Sequence, residues 1–171
     1  MKRSTAASNK HKEDKDKDAR YYWVPDAQEV WLPGMLMEDK GSRLRVLIGG
    51  ERTIDVDKAK CREISDRSVI FETTDDLISL GEVNDSAILN STRLRFSQKI
   101  IYTSIGSVLM SVNPFARIEG LYSPLKIVEY ENPREGEKAA HVYLIPSRAY
   151  DSMKTFGKNQ SILISGESGA G

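Results

Sequence analysis

One stretch constrains the fold of this chain more than any other: Ile162-Leu163-Ile164-Ser165-Gly166-Glu167-Ser168-Gly169-Ala170-Gly171, in which an apolar, β-prone run leads into glycines spaced G-x-x-x-x-G. Such spacing suits a loop whose successive backbone N–H groups curl into a concave nest around an anion, because only glycine reaches the required conformations without a Cβ clash. In a complete phosphate-binding loop, Lys and then Ser or Thr come next, and a helix aims its positive N-terminal end at the same anion. The chain carries the first half of that cradle. The expectation is the front part of a larger nucleotide-binding fold, truncated inside its loop.

Glycine-rich tails are also common flexible termini, so the neighbours decide. Tyr150, Met153 and Phe156 recur at helical spacing across 147–156, with Pro146 placed to start a helix and Gly157 to end it. Ser161 to Ser165 then reads as a strand buried on both faces of a parallel sheet. Helix, glycine, strand and Gly-rich loop is the order expected ahead of a phosphate-binding βα unit.

Composition narrows the alternatives. Equal numbers of basic and acidic residues, 25 of each, give no global reason to expect nucleic acid or an anionic membrane as partner. The single cysteine, Cys61, has no internal disulfide partner and reads as a half-buried strand residue, in keeping with a reducing cytosolic setting. The most apolar run, 100–112, is broken by Thr103, Ser104, Gly106, Ser107 and Ser111, so no membrane span is expected. Residues 1–20 are lysine-rich and almost free of large apolar groups, and they read as a disordered tail in which His11 is solvated.

From 21 to 66 short β-prone pieces alternate with turn signals. Glu29–Leu32 precedes Pro33-Gly34, Met35–Met37 precedes Asp39-Lys40-Gly41, and Arg43–Ile48 and Arg52–Asp57 are apolar on alternate residues. A small antiparallel barrel follows from this spacing. Trp23 and Trp31 are expected as its core anchors, with a peptide-binding aromatic groove as the alternative. From 70 onward the texture is mixed. Asn84 or Asp85 caps a helix that buries Leu89, Leu94 and Phe96. Ile105–Val112 reads as one strand ended by Asn113-Pro114. Ser123-Pro124 starts a helix over 125–130, and 131–137 is a charged surface loop.

Together these segments resemble a myosin motor domain, beginning at its N-terminus. Asp75 to Phe96 (DDLISLGEVNDSAILNSTRLRF) resembles the family's opening element and helix. Ile101 to Phe115 (IYTSIGSVLMSVNPF) is similar to its I-Y-T-x-x-G…VNP stretch, and His141-Val142-Tyr143 with Ala149-Tyr150 to its H-I-Y…A-Y helix. Asn159 to Gly171 (NQSILISGESGAG) matches the family's phosphate loop, which continues K-T. The resemblance runs firmly over 75–171 and loosely over 21–64, where many myosins carry an SH3-like barrel.

The fold class so implied mixes α+β and α/β: a small SH3-like antiparallel barrel followed by the incomplete start of a P-loop NTPase motor domain. The implied ligands are ATP, held in the loop by Gly166, Glu167, Ser168, Gly169, Ala170 and Gly171, and Mg²⁺, whose protein ligand lies beyond Gly171. Asn113, Pro114 and Tyr122, with Arg117, become candidates for the adenine site. The family's tyrosine follows its Asn by eight residues and is preceded by a proline. Here Arg117-Ile118-Glu119-Gly120-Leu121-Tyr122 is one residue longer, so the outer wall of the base site departs from the pattern. Glu167 is not expected to be catalytic, since a carboxylate against a triphosphate is repulsive. No catalytic or metal-ligating residue is assigned within the chain.

The resemblance implies an actin-activated ATPase parent in the cytoplasm, on the cytoskeleton, with actin bound through regions outside 1–171 and the chain by itself inactive. Two other readings stay open on the residues: a different P-loop NTPase or kinase, or a non-enzymatic SH3-like interaction module with the glycines as linker.

Overall fold

Alternating apolar residues build a five-stranded antiparallel sheet in the order β4-β3-β2-β1-β5. Its strands are β1 (Tyr21–Asp26), β2 (Val30–Asp39), β3 (Arg43–Ile48), β4 (Arg52–Asp57) and β5 (Arg62–Glu63). The computed structural model describes residues 19–131 and 138–167, which divide into two compact units between Ile70 and Phe71. In the first unit Leu44, Val46 and Ile48 point to one side of β3 and meet Tyr22 and Val24 of β1 in a buried cluster. Leu32, Leu36, Ile54, Val56 and Cys61 pack around it. Trp23 is fully buried, as expected of a core anchor, whereas Trp31 is half-buried with the Arg62 guanidinium 4.9 Å above its ring.

Pro33-Gly34 does not separate two strands; β2 runs unbroken through it for ten residues, with a bulge between Leu36 and Glu38. Pro33 faces Trp23 of β1 and lies outside the β2–β3 ladder, whose last pair is Gly34–Ile48, so its missing N–H breaks no bond to β3. Gly34 serves close packing: a Cβ there would sit 3.1 Å from both Val24 Cγ2 and Val46 Cβ. Cys61 follows a 3₁₀ turn (Lys58–Lys60) instead of lying in a strand, and burial pushes its thiol pKa up. Arg20, ahead of β1, donates through Nε to Glu63 Oε1 at 2.8 Å. A short helix α1 (Ser68–Phe71) spans the boundary between the two units.

The second unit begins with a turn held by side chains. Asp76 caps the 3₁₀ turn Leu77–Ser79 by accepting from the Ile78 N–H. Helix α2 (Asp85–Ser97) is capped by Asn84, which accepts from the Ala87 N–H at 2.9 Å. The buried face of α2 differs from the expected one. Ser86, Ala87, Asn90, Ser91 and Arg95 are buried, Leu89 and Leu94 are only half-buried, and Phe96 is exposed. The reason is Arg95: its Nη1 donates to Thr74 O at 2.6 Å, and its Nη2 to Asp75 Oδ1 at 2.9 Å and Tyr102 O at 2.8 Å. One guanidinium thus ties the helix to the unit's first turn and first strand, and small polar neighbours let it in.

The expected strand 105–112 is a hairpin of β6 (Tyr102–Ile105) and β7 (Val108–Ser111). Gly106, at φ 59°, takes a left-handed conformation and reverses the chain there. Ser123 caps α3 (Pro124–Glu129) with Pro124 in its first turn. Helix α4 (Leu144–Phe156) starts three residues before 147 and ends at Gly157 (φ 63°), so Pro146 lies within its first turn. The charged loop lies largely at 132–137, outside the described residues. Ile162–Ile164 forms no strand, and Leu163 and Ile164 are 93% and 91% exposed. A strand buried on both faces needs a neighbour on each edge, and none pairs with this segment among the described residues.

Candidate functional site

After β7 the chain turns on its own side chains. Asn113 Oδ1 accepts from the Phe115 N–H at 2.8 Å, a local turn that spends the amide oxygen within the backbone. Two bonds then close the next bend, from the Leu121 N–H to Ile118 O at 3.4 Å and from the Ser123 N–H to Gly120 O at 3.2 Å. Gly120 adopts φ 75° within it, a left-handed conformation that a residue with a Cβ takes only under strain. Between these turns and Ile101, just ahead of β6, lies a cleft of about 420 Å³, lined also by Pro114, Arg117, Ile118, Leu121 and Tyr122 among others.

Three of the residues expected at the base site, Pro114, Arg117 and Tyr122, therefore share one cleft, and Asn113 does not line it. Gly166 and Glu167 are exposed and are not part of it either, while Ser168, Gly169, Ala170 and Gly171 lie outside the described residues. Tyr122 is 54% exposed, and its hydroxyl shares a 2.7 Å hydrogen bond with the Tyr102 hydroxyl. That bond ties the Tyr122 ring to β6.

Behind the cleft wall stands a group that sequence reasoning left without a role. His141 is buried and stacks on Tyr130 with ring centroids 4.7 Å apart, with Tyr143 at 4.7 Å and Tyr102 at 5.2 Å. Its Nε2 lies 3.0 Å from Leu121 O, and its Nδ1 accepts from the Tyr143 N–H at 3.1 Å. Burial is the main cause lowering its pKa below the usual histidine value; a like charge at Lys126 adds to this, and the bond to Leu121 and the charge of Glu129 oppose it. Burial also drives the Tyr102 phenol well above the usual tyrosine range, helped by its bond to Tyr122. The signal in the sequence was the His141-Val142-Tyr143 match, which marked the position without its partners.

An apolar wall with one cation and one phenol at its rim suits a flat heteroaromatic ring that needs edge contacts for orientation. No group of His, Cys, Asp and Glu among the described residues could hold a metal ion. Nor is any described helix long and apolar enough to cross a membrane.

Comparison with known proteins places these features in a family. The profile of the myosin head (motor domain) matches residues 74–171. Myosin-2 of Lachancea kluyveri is 35% identical over 160 residues, covering 87% of this chain and 10% of that protein. Myosin-14 of Arabidopsis thaliana is 34% identical over 149 residues, with the same two shares. The high molecular weight form of myosin-1 from Acanthamoeba castellanii is 35% identical over 156 residues, covering 90% of this chain and 10% of that protein. The chain thus spans about a tenth of the length of the relatives it matches. Neither an unrelated P-loop NTPase or kinase nor a free-standing interaction module is favoured by these matches. From the phosphate-loop motif, the cleft-bearing unit and the relatives together, this chain belongs to the myosin head (motor domain) family.

Proposed function

We propose that the chain is the leading portion of an actin-activated ATPase motor of the cytoplasmic cytoskeleton, and that the cleft receives the adenine of ATP. The observation that carries this reading is the convergence of Pro114, Arg117 and Tyr122 on one cleft inside the segment that matches the family. In this role Pro114, Ile118 and Leu121 would cover the faces of the purine and keep water from them. Tyr122 would present its hydroxyl to an edge, and Arg117 would screen negative charge at the mouth.

The backbone N–H groups of Gly166 to Gly171 would donate to phosphate oxygens, with Glu167 turned away from them. Bound Mg²⁺ supplies charge neutralisation for the leaving phosphates. The described residues offer it no ligand set, and no step within this chain depends on it. Actin binding and force production belong to regions outside residues 1–171. The units themselves, an SH3-like module over 21–66 and the opening of the motor domain over 70–171, are proposed as the working subdivision.

Two measurements test the reading. Adenosine added to the 171-residue chain should shift the NMR signals of Ile101, Ile118, Leu121 and Tyr122 more than uridine does, and Tyr122→Ala should remove the difference. Equal shifts with both nucleosides, or none at these residues, overturn the base assignment. Phosphate release assays on the same chain should find no turnover dependent on magnesium and actin; finding it would place the catalytic machinery where this reading does not.

A further inference from the structure

We propose that His141 is a positioning residue for the cleft, a neutral imidazole that latches the Leu121–Tyr122 wall and releases it on protonation. The argument starts with the ring's two partners. A backbone N–H can only donate, so the Tyr143 N–H fixes Nδ1 as the unprotonated nitrogen. A carbonyl can only accept, so Leu121 O requires the hydrogen on Nε2. Both contacts are satisfied by one species alone, the neutral Nε2–H tautomer.

The latch has further holds on the same wall. The Tyr122 hydroxyl meets that of Tyr102, and the Tyr143 hydroxyl points at Tyr122 O from 3.5 Å. Tyr130, at the end of α3, donates to Ala139 O at 2.9 Å and presents its face to the imidazole. Tyr102, Tyr122, Tyr130 and Tyr143 therefore surround His141 with neutral groups. The charges acting on it are Lys126 and Glu129 of α3, which pair with each other at 2.7 Å and largely cancel. Among the described residues, the bond to Leu121 O and the charge of Glu129 favour an imidazolium, and burial outweighs them.

A second proton would go onto Nδ1, where it would meet the Tyr143 N–H head-on between two nitrogens only 3.1 Å apart. The ring must then turn away, and its Nε2–H donor leaves Leu121 O with it. Leu121 and Tyr122 both line the cleft, so the wall loosens as a unit. Burial lowers the pKa of His141, so the neutral form is the folded-state form at pH 7. The latch is closed above the ordinary histidine range and opens as pH falls through the lowered folded value.

The test is a pH titration of the full 171-residue chain from 7.5 to 5, followed by NMR. Expected are imidazole nitrogen shifts of the Nε2–H tautomer at the upper end. The amide signals of Leu121, Tyr122 and Tyr143 should then move with the His141 midpoint and not with that of His11. The adenosine arm rests on the base-site reading: affinity should fall about fivefold across the titration, the scale of one hydrogen bond. His141→Gln, which keeps a donor at the Nε2 position, should hold its affinity at every pH. His141→Phe, which keeps only a ring, should bind weakly throughout. Amides at Leu121 and Tyr122 that ignore the His141 midpoint, or a His141→Phe chain with wild-type adenosine affinity, overturn the latch. Failure of the wild-type chain to bind adenosine at pH 7.5 refutes the base site alone, since the amide signals judge the latch independently.

Discussion

Leu44 and Arg95 are both sealed from solvent, at 0% and 2% exposure, and they hold their units together by different means. Leu44 sits in the apolar cluster of the first unit, where the sheet's alternation sends side chains of successive strands to one side. Arg95 sits on a helix of the second unit and supplies three hydrogen bonds to backbone and carboxylate acceptors 7 to 21 residues away in sequence. The first arrangement is forgiving of chemistry and strict about volume. The second is strict about both, because removing a buried donor leaves its acceptors stranded. Leu44 holds by shape, whereas Arg95 adds a polar tie to the second unit's own apolar cluster around Ile101 and Tyr102.

Substitutions can break or sharpen that contrast. Leu44→Ala should cost about 2–5 kcal/mol by leaving a cavity, read as a lower denaturation midpoint with the second unit's signals unchanged. Equal loss in both units would mean they do not unfold separately. Arg95→Met keeps much of the volume and removes the donors, and should cost about 3 kcal/mol in the second unit. A neutral outcome would show that the tie is replaceable by packing, as in the first unit. Asn84→Ala removes the cap of α2 and should cost about 1 kcal/mol, visible in helix signal and thermal midpoint. Ile164→Ser should change stability by under about 0.5 kcal/mol, since the side chain is 91% exposed, while reducing self-association in sedimentation and binding of a hydrophobic dye.

The same contrast explains what could be read from the residues. In the first unit Leu44, Val46 and Ile48 announced both strand and buried face, because a period of two leaves few other solutions. Pro33-Gly34 misled, since a close approach to Val24 and Val46 asks for glycine as strongly as a turn does. In the second unit Asn84 and Ser123 marked helix starts correctly, caps being local chemistry. The buried face of α2 was not legible: which side of a helix turns inward depends on acceptors such as Tyr102 O, and no window of sequence contains them. Gly106 reverses a run that its apolar neighbours made look continuous.

The cleft divided in the same way. Pro114, Arg117 and Tyr122 were named from a motif and lie together, whereas Asn113 spends its amide on Phe115. His141 was visible as a match and silent as chemistry, because its meaning lies in Leu121, twenty residues earlier, and in four surrounding tyrosines.

Gly120 carries a consequence for how this loop can change. A left-handed glycine acts as a swivel in a rope: it lets the chain reverse at a point where a side chain would bind it. The phenol-to-phenol contact between Tyr102 and Tyr122 then works as a stop that fixes where the rope is tied off. The swivel and the stop are separate fittings, so a side chain placed at Gly120 would strain the turn without removing the tie on the aromatic behind it.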